Sequence, residues 1–189
     1  MLVLASASPR RQELLRNAGI AFVVEPTDVA EIPLKGELPR SFAERMARGK
    51  AEAVFCMRPN DFVLGADTVV VAGGIILGKP RDVADAARML RLLSGRTHEV
   101  ITGVCLMGPR RKTGFQDTRS ETTFVTMNKL EDEDICAYIA TEEPLDKAGA
   151  YGIQGIASRW IPRIEGDYFN VVGLPVALVQ QMLREHGVK

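Results

Sequence analysis

The chain alternates short apolar runs with amphipathic stretches, which is the pattern of strands and helices that follow one another in an α/β protein. It begins with the apolar run 2–4, which has no polar alternation and is typical of a strand buried on both faces. Small residues follow, and Ser8 and Pro9 then favour a helix start with Ser8 as the N-cap. We predict the first helix over 9–17.

The most apolar stretch, 62–71, predicts a strand at the centre of a sheet. Gly73 and Gly74 predict a hairpin turn that leads to a second strand at 75–77. Asp67 interrupts the apolar run, and an ionised carboxylate in a buried strand is costly unless a cation or several hydrogen-bond donors meet it. Asp67 is therefore either a site residue or one half of a structural ion pair.

Periodicity predicts the remaining elements. Ser41 and Glu44 form a capping-box pattern that favours a helix start, and the plain interpretation of Lys50, on that helix, is a surface charge. Asp82 is expected to cap a third helix. The other predicted features are a strand at 20–24, a strand at 97–106, a solvated basic turn at 110–112, a strand at 121–127, a helix at 131–141, a short hairpin at 160–169 and a last helix after Pro175.

Composition limits the class of protein. The chain has 189 residues and equal numbers of Lys plus Arg and of Asp plus Glu, 24 each, so it lacks the basic field of a general nucleic-acid-binding protein. Its three cysteines, Cys56, Cys105 and Cys136, are odd in number and far apart, which argues against a disulfide framework or a zinc site. No signal-peptide or bilayer-spanning pattern is present, so we expect a cytoplasmic protein without a membrane partner.

Charged residues in unusual positions point to a phosphorylated ligand. Two arginines lie in the first turn of the first helix, where backbone N–H groups and the helix dipole attract anions; the alternative is that both point into water. Lysines and arginines would neutralise phosphate oxygens, while carboxylates hold a divalent ion or activate water. The set comprises Arg10, Arg11, Glu31, Lys50, Asp67 and Lys79.

Six segments carry a resemblance to a known family. They are LASASPRR (4–11), GADTVV (65–70), GKP (78–80), LSGRTHEVITGV (93–104), DKAGAYGIQG (146–155) and GDYFNVVGLP (166–175). Together they resemble the Maf family of nucleoside triphosphate pyrophosphatases. The resemblance implies one α/β domain over 1–189, without a separate linker, in which a long mixed, twisted sheet is flanked by helices. It also implies two lobes around a central nucleotide cleft, akin to the inosine triphosphate pyrophosphatases.

The resemblance also implies an activity and a site. The expected reaction hydrolyses a nucleoside triphosphate to the monophosphate and pyrophosphate with a divalent cation, Mg²⁺, or alternatively Mn²⁺ or Co²⁺. Asp67 matches the catalytic proton acceptor and, with Glu31, the metal site. Phosphate binding is expected at Ser8, Arg10, Arg11, Lys50 and Lys79. Arg10, Thr68 and Gln154 match positions that distinguish the subgroup acting on dTTP and UTP, and modified pyrimidine triphosphates are further candidate substrates.

Two alternatives remain at this point. The Gln154 amide offers a donor and an acceptor to a pyrimidine edge, or it only pins its glycine-rich loop. The whole protein is either the expected pyrophosphatase or a nucleotide-binding regulator of septum formation and cell division without significant hydrolysis. A carboxylate such as Asp67 repels a polyphosphate, so a site that only binds nucleotide without a metal gains nothing from it. Its presence therefore favours the enzyme. The expected partner is the nucleoside triphosphate, with a homodimer as the candidate assembly and no nucleic acid.

Overall fold

The computed structural model of the protein describes residues 1–109 and 114–188, and the predicted basic turn at 110–112 lies outside them. The described elements, in chain order, are β1 (Leu2–Leu4), α1 (Pro9–Asn17), β2 (Val23–Val24), α2 (Pro39–Phe55), β3 (Phe62–Ala72), β4 (Ile75–Leu77), α3 (Val83–Leu93), β5 (Thr97–Gly108), β6 (Phe115–Thr126), α4 (Asp132–Ile139), three 3₁₀ turns (Glu143–Asp146, Ala148–Ala150 and Ile156–Trp160), β7 (Arg163–Glu165), α5 (Tyr168–Val172) and α6 (Val176–Glu185). Within this described part, no helix has the length and apolar character needed to cross a bilayer.

The seven strands of the described residues form one mixed sheet in the order β2-β1-β3-β5-β6-β7, with β4 paired to β3. β1 runs parallel to both β2 and β3, because the connections between them pass through helices. β4 and β7 run antiparallel to β3 and β6. The predicted α/β class, the mixed sheet and the central position of the 62–71 strand are confirmed.

The chain divides into two compact units. The first consists of Met1–Thr68, Thr102–Glu121 and Gly173–Lys189, and the second of Val69–Ile101 and Thr122–Val172. The core of the first unit packs α2 on the sheet through the buried residues Val3, Ala5, Ala47, Ala51, Val54, Val63 and Cys105.

The core of the second unit lies around α3 and α4. Its largest buried side chains include Leu90, Leu93, Ile135 and Tyr138. Asp82 caps α3 as predicted, since its side chain accepts a hydrogen bond from the Asp85 N–H at 2.8 Å.

Three local predictions differ from the structure, two in the extent of an element and one in its kind. The predicted strand at 20–24 is reduced to β2, two residues long. The helix predicted from Ser41 begins at Pro39, because proline is favoured in the first helical turn; Glu44 then accepts a hydrogen bond from the Ser120 hydroxyl instead of closing a capping box. The hairpin predicted at 160–169 is replaced by a 3₁₀ turn, β7 and α5, because β7 pairs with β6.

Candidate active site

One buried lysine joins two carboxylates in the first unit. The Lys50 Nζ atom lies 2.6 Å from Asp67 Oδ1 and 2.6 Å from Glu31 Oε1. Lys50 and Asp67 are only 8% and 5% exposed, whereas 47% of the Glu31 side chain is exposed. The three side chains therefore form a charged group that reaches from the interior of the unit to its surface. The plain interpretation of Lys50 as a surface charge is wrong.

A glycine on β3 allows this pairing. A Cβ atom on Gly65 would lie 2.2 Å from the Ala47 carbonyl oxygen and 2.8 Å from the Ala51 backbone nitrogen, so the α2 backbone rests directly on the strand. Asp67 follows two residues later on the same face of the strand, and Lys50 lies between the two contact points on α2. Only glycine permits this approach of helix and strand.

Burial and the neighbouring positive charges have opposite effects on the pKa of the Asp67 carboxylate. Burial raises the pKa of Asp67 above its ordinary value, and the neighbouring charges of Lys50 and Arg11 act in the opposite direction. Such a carboxylate is more basic than an exposed one and still has a cation at hydrogen-bond distance to favour its ionised form. These are the properties of a general base.

Arg11 is a second buried cation of this unit. Its Nε donates to the Gly173 carbonyl at 2.8 Å, one terminal nitrogen to Ser6 Oγ at 3.2 Å, and the other to Thr68 Oγ1 at 3.0 Å. None of these three partners is charged. Burial lowers the pKa of Arg11, while Asp67 and Glu31 act to raise it. The guanidinium thus places a fixed positive charge within the electrostatic field of both carboxylates.

Thr68 is engaged through its hydroxyl. Besides accepting from Arg11, this hydroxyl lies 2.9 Å from the Thr102 hydroxyl and 3.3 Å from the Gly173 carbonyl oxygen. Ser6, Thr102 and Gly173 were not selected from the sequence as site residues. Each nevertheless lies inside one of the six motif segments, so membership of a motif segment could have marked these positions as candidate site residues.

The start of α1 carries two further residues predicted for phosphate binding, Ser8 and Arg10. The Ser8 hydroxyl accepts a hydrogen bond from the Arg11 N–H at 3.5 Å and so acts as the predicted N-cap. Arg10 is half-buried in the first turn. Three predicted residues, Ser8, Arg10 and Arg11, therefore lie together where the helix presents its positive end.

The loop that carries Glu31 is pinned to α2 by an ion pair. Arg45 Nε lies 2.6 Å from Glu37 Oε1, and a terminal nitrogen of Arg45 donates to Glu37 Oε2 at 2.7 Å and to the Ile32 carbonyl at 2.9 Å. The Glu37 side chain also accepts from the Leu34 N–H. The pair holds the loop beside the helix that bears Lys50, and the sequence pattern did not predict this ion pair.

Two predicted site residues lie in the second unit, apart in the chain from the group around Asp67. Lys79 is exposed and follows β4, and Gln154 is exposed in the glycine-rich segment after the second 3₁₀ turn. Gly78, which precedes Lys79, accepts a hydrogen bond from the Gly149 N–H at 3.0 Å. The backbone beside Lys79 is thereby tied to the segment that leads to Gln154.

Glu31 and Asp67 are the carboxylates that could hold a divalent ion. Within residues 1–109 and 114–188, no group of three or more His, Cys, Asp or Glu side chains is arranged to hold a metal ion. The two carboxylates do converge on one positive centre, the Lys50 ammonium. Mg²⁺ commonly uses one or two carboxylates and completes its shell with phosphate oxygens and water, so this pair fits such an ion.

Comparisons with known proteins agree on one family. The profile described as Maf-like protein matches residues 1–186. A protein of Koribacter versatilis named dTTP/UTP pyrophosphatase is 60% identical over 187 residues, covering 99% of this chain and 95% of the relative. A protein of Geobacter sulfurreducens with the same name is 51% identical and covers 98% of this chain and 96% of its own.

A solved structure supports the fold. The Staphylococcus aureus Ham1 protein matches with a TM-score of 0.51 and 15% identity, over 98% of each chain. At this identity the likeness concerns the fold alone, and it agrees with the predicted α/β architecture. Because the family profile spans nearly all residues and the relatives align along the whole chain at high identity, this protein belongs to the family of Maf-like proteins.

Proposed function

We propose that this protein is a nucleoside triphosphate pyrophosphatase that hydrolyses dTTP and UTP to the monophosphate and pyrophosphate. The observation that carries the proposal is the buried Asp67–Lys50 pair with Glu31 at its exposed side. The substrate class comes from the relatives, which are named dTTP/UTP pyrophosphatase at 50–60% identity. A role in clearing unwanted nucleotides, among them modified pyrimidine triphosphates, follows from that chemistry.

In the proposed reaction, Asp67 accepts a proton from a water molecule as its oxygen attacks the α-phosphorus. The bond between the α-phosphorus and the α,β-bridging oxygen breaks, and pyrophosphate leaves with that oxygen. Lys50 keeps the Asp67 carboxylate ionised before the attack, because its ammonium lies 2.6 Å away. The proton on Asp67 then returns to solvent, and the next cycle starts from the ionised acid.

Positive groups are proposed to bind the phosphates. Arg11 is fixed by three hydrogen bonds to neutral partners, so its charge remains available to an anion without the entropy cost of ordering its side chain. Ser8 and Arg10 lie in the same helix start. Lys79 is assigned to phosphate binding on the family resemblance.

A divalent cation is proposed at Glu31 and Asp67. Mg²⁺ suits two carboxylate oxygens, and Mn²⁺ or Co²⁺ are alternatives. When bound, such an ion neutralises charge on the triphosphate. Lys50 contacts both carboxylates and thus fixes their mutual position.

Base selection is proposed to involve Gln154, together with Arg10 and Thr68. The Gln154 amide supplies a donor and an acceptor, the groups needed to meet the edge of a pyrimidine. The Thr68 hydroxyl is already engaged with Arg11, Thr102 and Gly173, so its contribution to selection is to fix Arg11. We expect Gln154→Ala to change the order of preference among pyrimidine triphosphates. A uniform loss of rate would support the alternative that Gln154 only pins its loop.

The experiment that tests the proposal is product analysis. Purified protein is incubated with dTTP, UTP, dCTP, dATP and dGTP, each with Mg²⁺, Mn²⁺ or Co²⁺, and the products are separated by ion-exchange chromatography. The proposal predicts monophosphate and pyrophosphate from dTTP and UTP at the highest rates. Binding of these nucleotides without product would favour the alternative, a nucleotide-binding regulator of septum formation and cell division.

The proposed compartment is the cytoplasm. Cys56, Cys105 and Cys136 are all free thiols, which agrees with a reducing environment. The proposed partner is the nucleoside triphosphate itself, and a homodimer is the proposed assembly on the family resemblance alone.

A further inference from the structure

Gln154 lies in a tight turn whose two ends are fixed by one pair of side chains. The turn is closed by a hydrogen bond from the Gly155 N–H to the Gly152 carbonyl at 3.1 Å. Before it, the Gly152 N–H donates to the Tyr138 hydroxyl at 3.2 Å. After it, the Ile156 N–H donates to Glu143 Oε2 at 3.2 Å. Gln154 is therefore held between two backbone amides that are both bound to side chains of other segments.

Tyr138 and Glu143 are themselves connected. The Tyr138 hydroxyl donates to Glu143 Oε1 at 2.9 Å. Burial raises the pKa of Tyr138, so the phenol stays protonated near neutral pH and the direction of this hydrogen bond is fixed. The connections run from the Gly152 amide through Tyr138 to Glu143 and back to the Ile156 amide. We call these two side chains the turn clamp.

The clamp has a rigid base. Tyr138 is 1% exposed, and its ring packs edge-to-face on Trp160 with the ring centroids 5.4 Å apart. The backbone of Glu143 is fixed as well, because its carbonyl accepts a hydrogen bond from Lys147 Nζ at 2.7 Å. An anchored clamp of this kind limits the positions that the Gln154 backbone can adopt.

Glycine at 155 is required for the clamp to close. A Cβ atom on Gly155 would lie 2.0 Å from Glu143 Oε1 and 2.5 Å from the carboxylate carbon. The carboxylate thus occupies the space that any side chain at this position would fill. Glycine at 155 thus leaves room for the Glu143 carboxylate beside the turn.

From this geometry we propose that Glu143 and Tyr138 are positioning residues for pyrimidine selection, acting by fixing the turn that presents Gln154. The proposal rests on the proposed function of Gln154 and deepens it. A recognising amide discriminates between bases only when its donor and acceptor are held in one orientation, because a mobile amide satisfies several hydrogen-bond patterns. Neither clamp residue contacts the substrate in this proposal.

The test compares substrate preference in matched variants. The readout is kcat/KM for dTTP divided by kcat/KM for dCTP, measured from pyrophosphate release. Tyr138→Phe keeps the packed ring and removes the hydroxyl that holds both Gly152 and Glu143. We expect this ratio to fall by about tenfold or more, mainly through a higher KM for dTTP. Glu143→Ala should have the same effect, and Glu143→Gln should restore part of it because the amide oxygen can still accept one of the two hydrogen bonds.

The matched control is Tyr151→Phe. It also removes one buried phenol hydroxyl from the second unit, but that hydroxyl pairs with His98 Nε2 at 2.7 Å and not with the turn. We expect this variant to lose stability and to keep the wild-type ratio of dTTP to dCTP. If Tyr151→Phe lowers the ratio as much as Tyr138→Phe does, the effect is a general loss of structure and the clamp proposal is overturned.

A second test does not depend on the substrate. Gly155→Ala should push the Glu143 carboxylate aside and so mimic Glu143→Ala. In thermal unfolding, the Tm loss of the double variant Glu143→Ala/Gly155→Ala should be clearly smaller than the sum of the two single losses. Additive losses would show that the two residues do not meet in solution and would overturn the proposal.

The two proposals can fail separately. If the wild type prefers dTTP and Gln154→Ala abolishes the preference while both clamp variants retain it, the clamp proposal alone is wrong. If the wild type does not hydrolyse dTTP, or hydrolyses dTTP and dCTP equally, the proposed function fails, and the proposal built on it fails too. The coupling between Glu143 and Gly155 then still reports whether the clamp exists.

Discussion

The ammonium of Lys50 lies 2.6 Å from the carboxylate of Asp67, and both side chains are almost completely removed from solvent. In a buried ion pair, the attraction between the two charges offsets the cost of removing each from water. Removal of one charge therefore leaves the other buried without compensation. In this protein the compensated carboxylate is also the proposed base. Stability and chemistry are therefore linked at one contact.

Replacing Lys50 by methionine should destabilise the fold. Lys50→Met keeps most of the side-chain volume but leaves the buried Asp67 carboxylate without its closest cation, which costs about 3 kcal/mol. The free energy of unfolding, measured by urea denaturation at neutral pH, should fall by that amount. The double variant Lys50→Met/Asp67→Asn should recover much of the loss because position 67 then no longer carries a buried carboxylate that has lost its closest cation. An unchanged free energy of unfolding in Lys50→Met would show that the pair does not form as described.

A Cβ atom at position 65 should separate α2 from β3. Gly65→Ala places a methyl group 2.2 Å from the Ala47 carbonyl oxygen, and backbone on both sides must move. We expect a loss of about 2 kcal/mol or more in the free energy of unfolding, together with a lower kcat, because Lys50 and Asp67 lose their register.

The control for this variant is Gly49→Ala on the same helix. A Cβ atom there meets only Val29, at 3.5 Å, which is an ordinary contact. Since alanine is the better helix former, Gly49→Ala should raise the free energy of unfolding by about 0.5–1 kcal/mol. Equal destabilisation by the two variants would contradict the close approach at Gly65.

His98 should make the second unit sensitive to acid. Burial lowers the pKa of His98 from 6.5 to about 4, so the unfolded chain takes up this proton before the folded protein does. The stabilisation is fully present above pH 6.5 and is lost as the pH falls towards 4, amounting to about 3 kcal/mol over that range. His98→Gln, which does not titrate, should remove this part of the pH dependence.

The prediction for His98 is checked by measuring the free energy of unfolding of the wild type and of His98→Gln between pH 7.5 and 4.5. Asp67 contributes with the opposite sign, because burial raises the pKa of this acid. The difference between wild type and His98→Gln cancels that contribution. A difference that stays constant with pH would contradict the buried, neutral state of His98.

The main architecture could be predicted from the sequence because it depends on local patterns. The apolar residues on both sides of Asp67 predicted the central strand, and two glycines predicted the turn after it. The buried state of Lys50 also left a signal. Lys50 stands four residues from Met46 and from Val54, both buried on α2, so it shares their face of the helix.

Other features could not be predicted because they depend on contacts between distant segments. The clamp joins Tyr138 and Glu143 to the glycine-rich turn through backbone amides, which leave no mark in side-chain periodicity. Within the 160–169 segment, residues Arg163–Glu165 pair with β6, a distant strand, and not with a neighbouring arm of a hairpin. The start of α2 depends on local signals only. There, the preference of Pro39 for the first helical turn outweighs the capping-box pattern of Ser41 and Glu44.

The most direct test of the account measures the products of dTTP hydrolysis by Asp67→Asn. Asparagine is nearly isosteric but is neither a base nor a strong ligand for a divalent ion, so kcat/KM should fall by about 100-fold or more while circular dichroism stays unchanged. Asp85→Asn is the matched control, since Asp85 is similarly buried but pairs with Arg88 on α3 and with Arg81, which precedes that helix. The account predicts that Asp85→Asn still releases thymidine monophosphate and pyrophosphate at near wild-type rates. Release of both products by Asp67→Asn at the wild-type rate would contradict it.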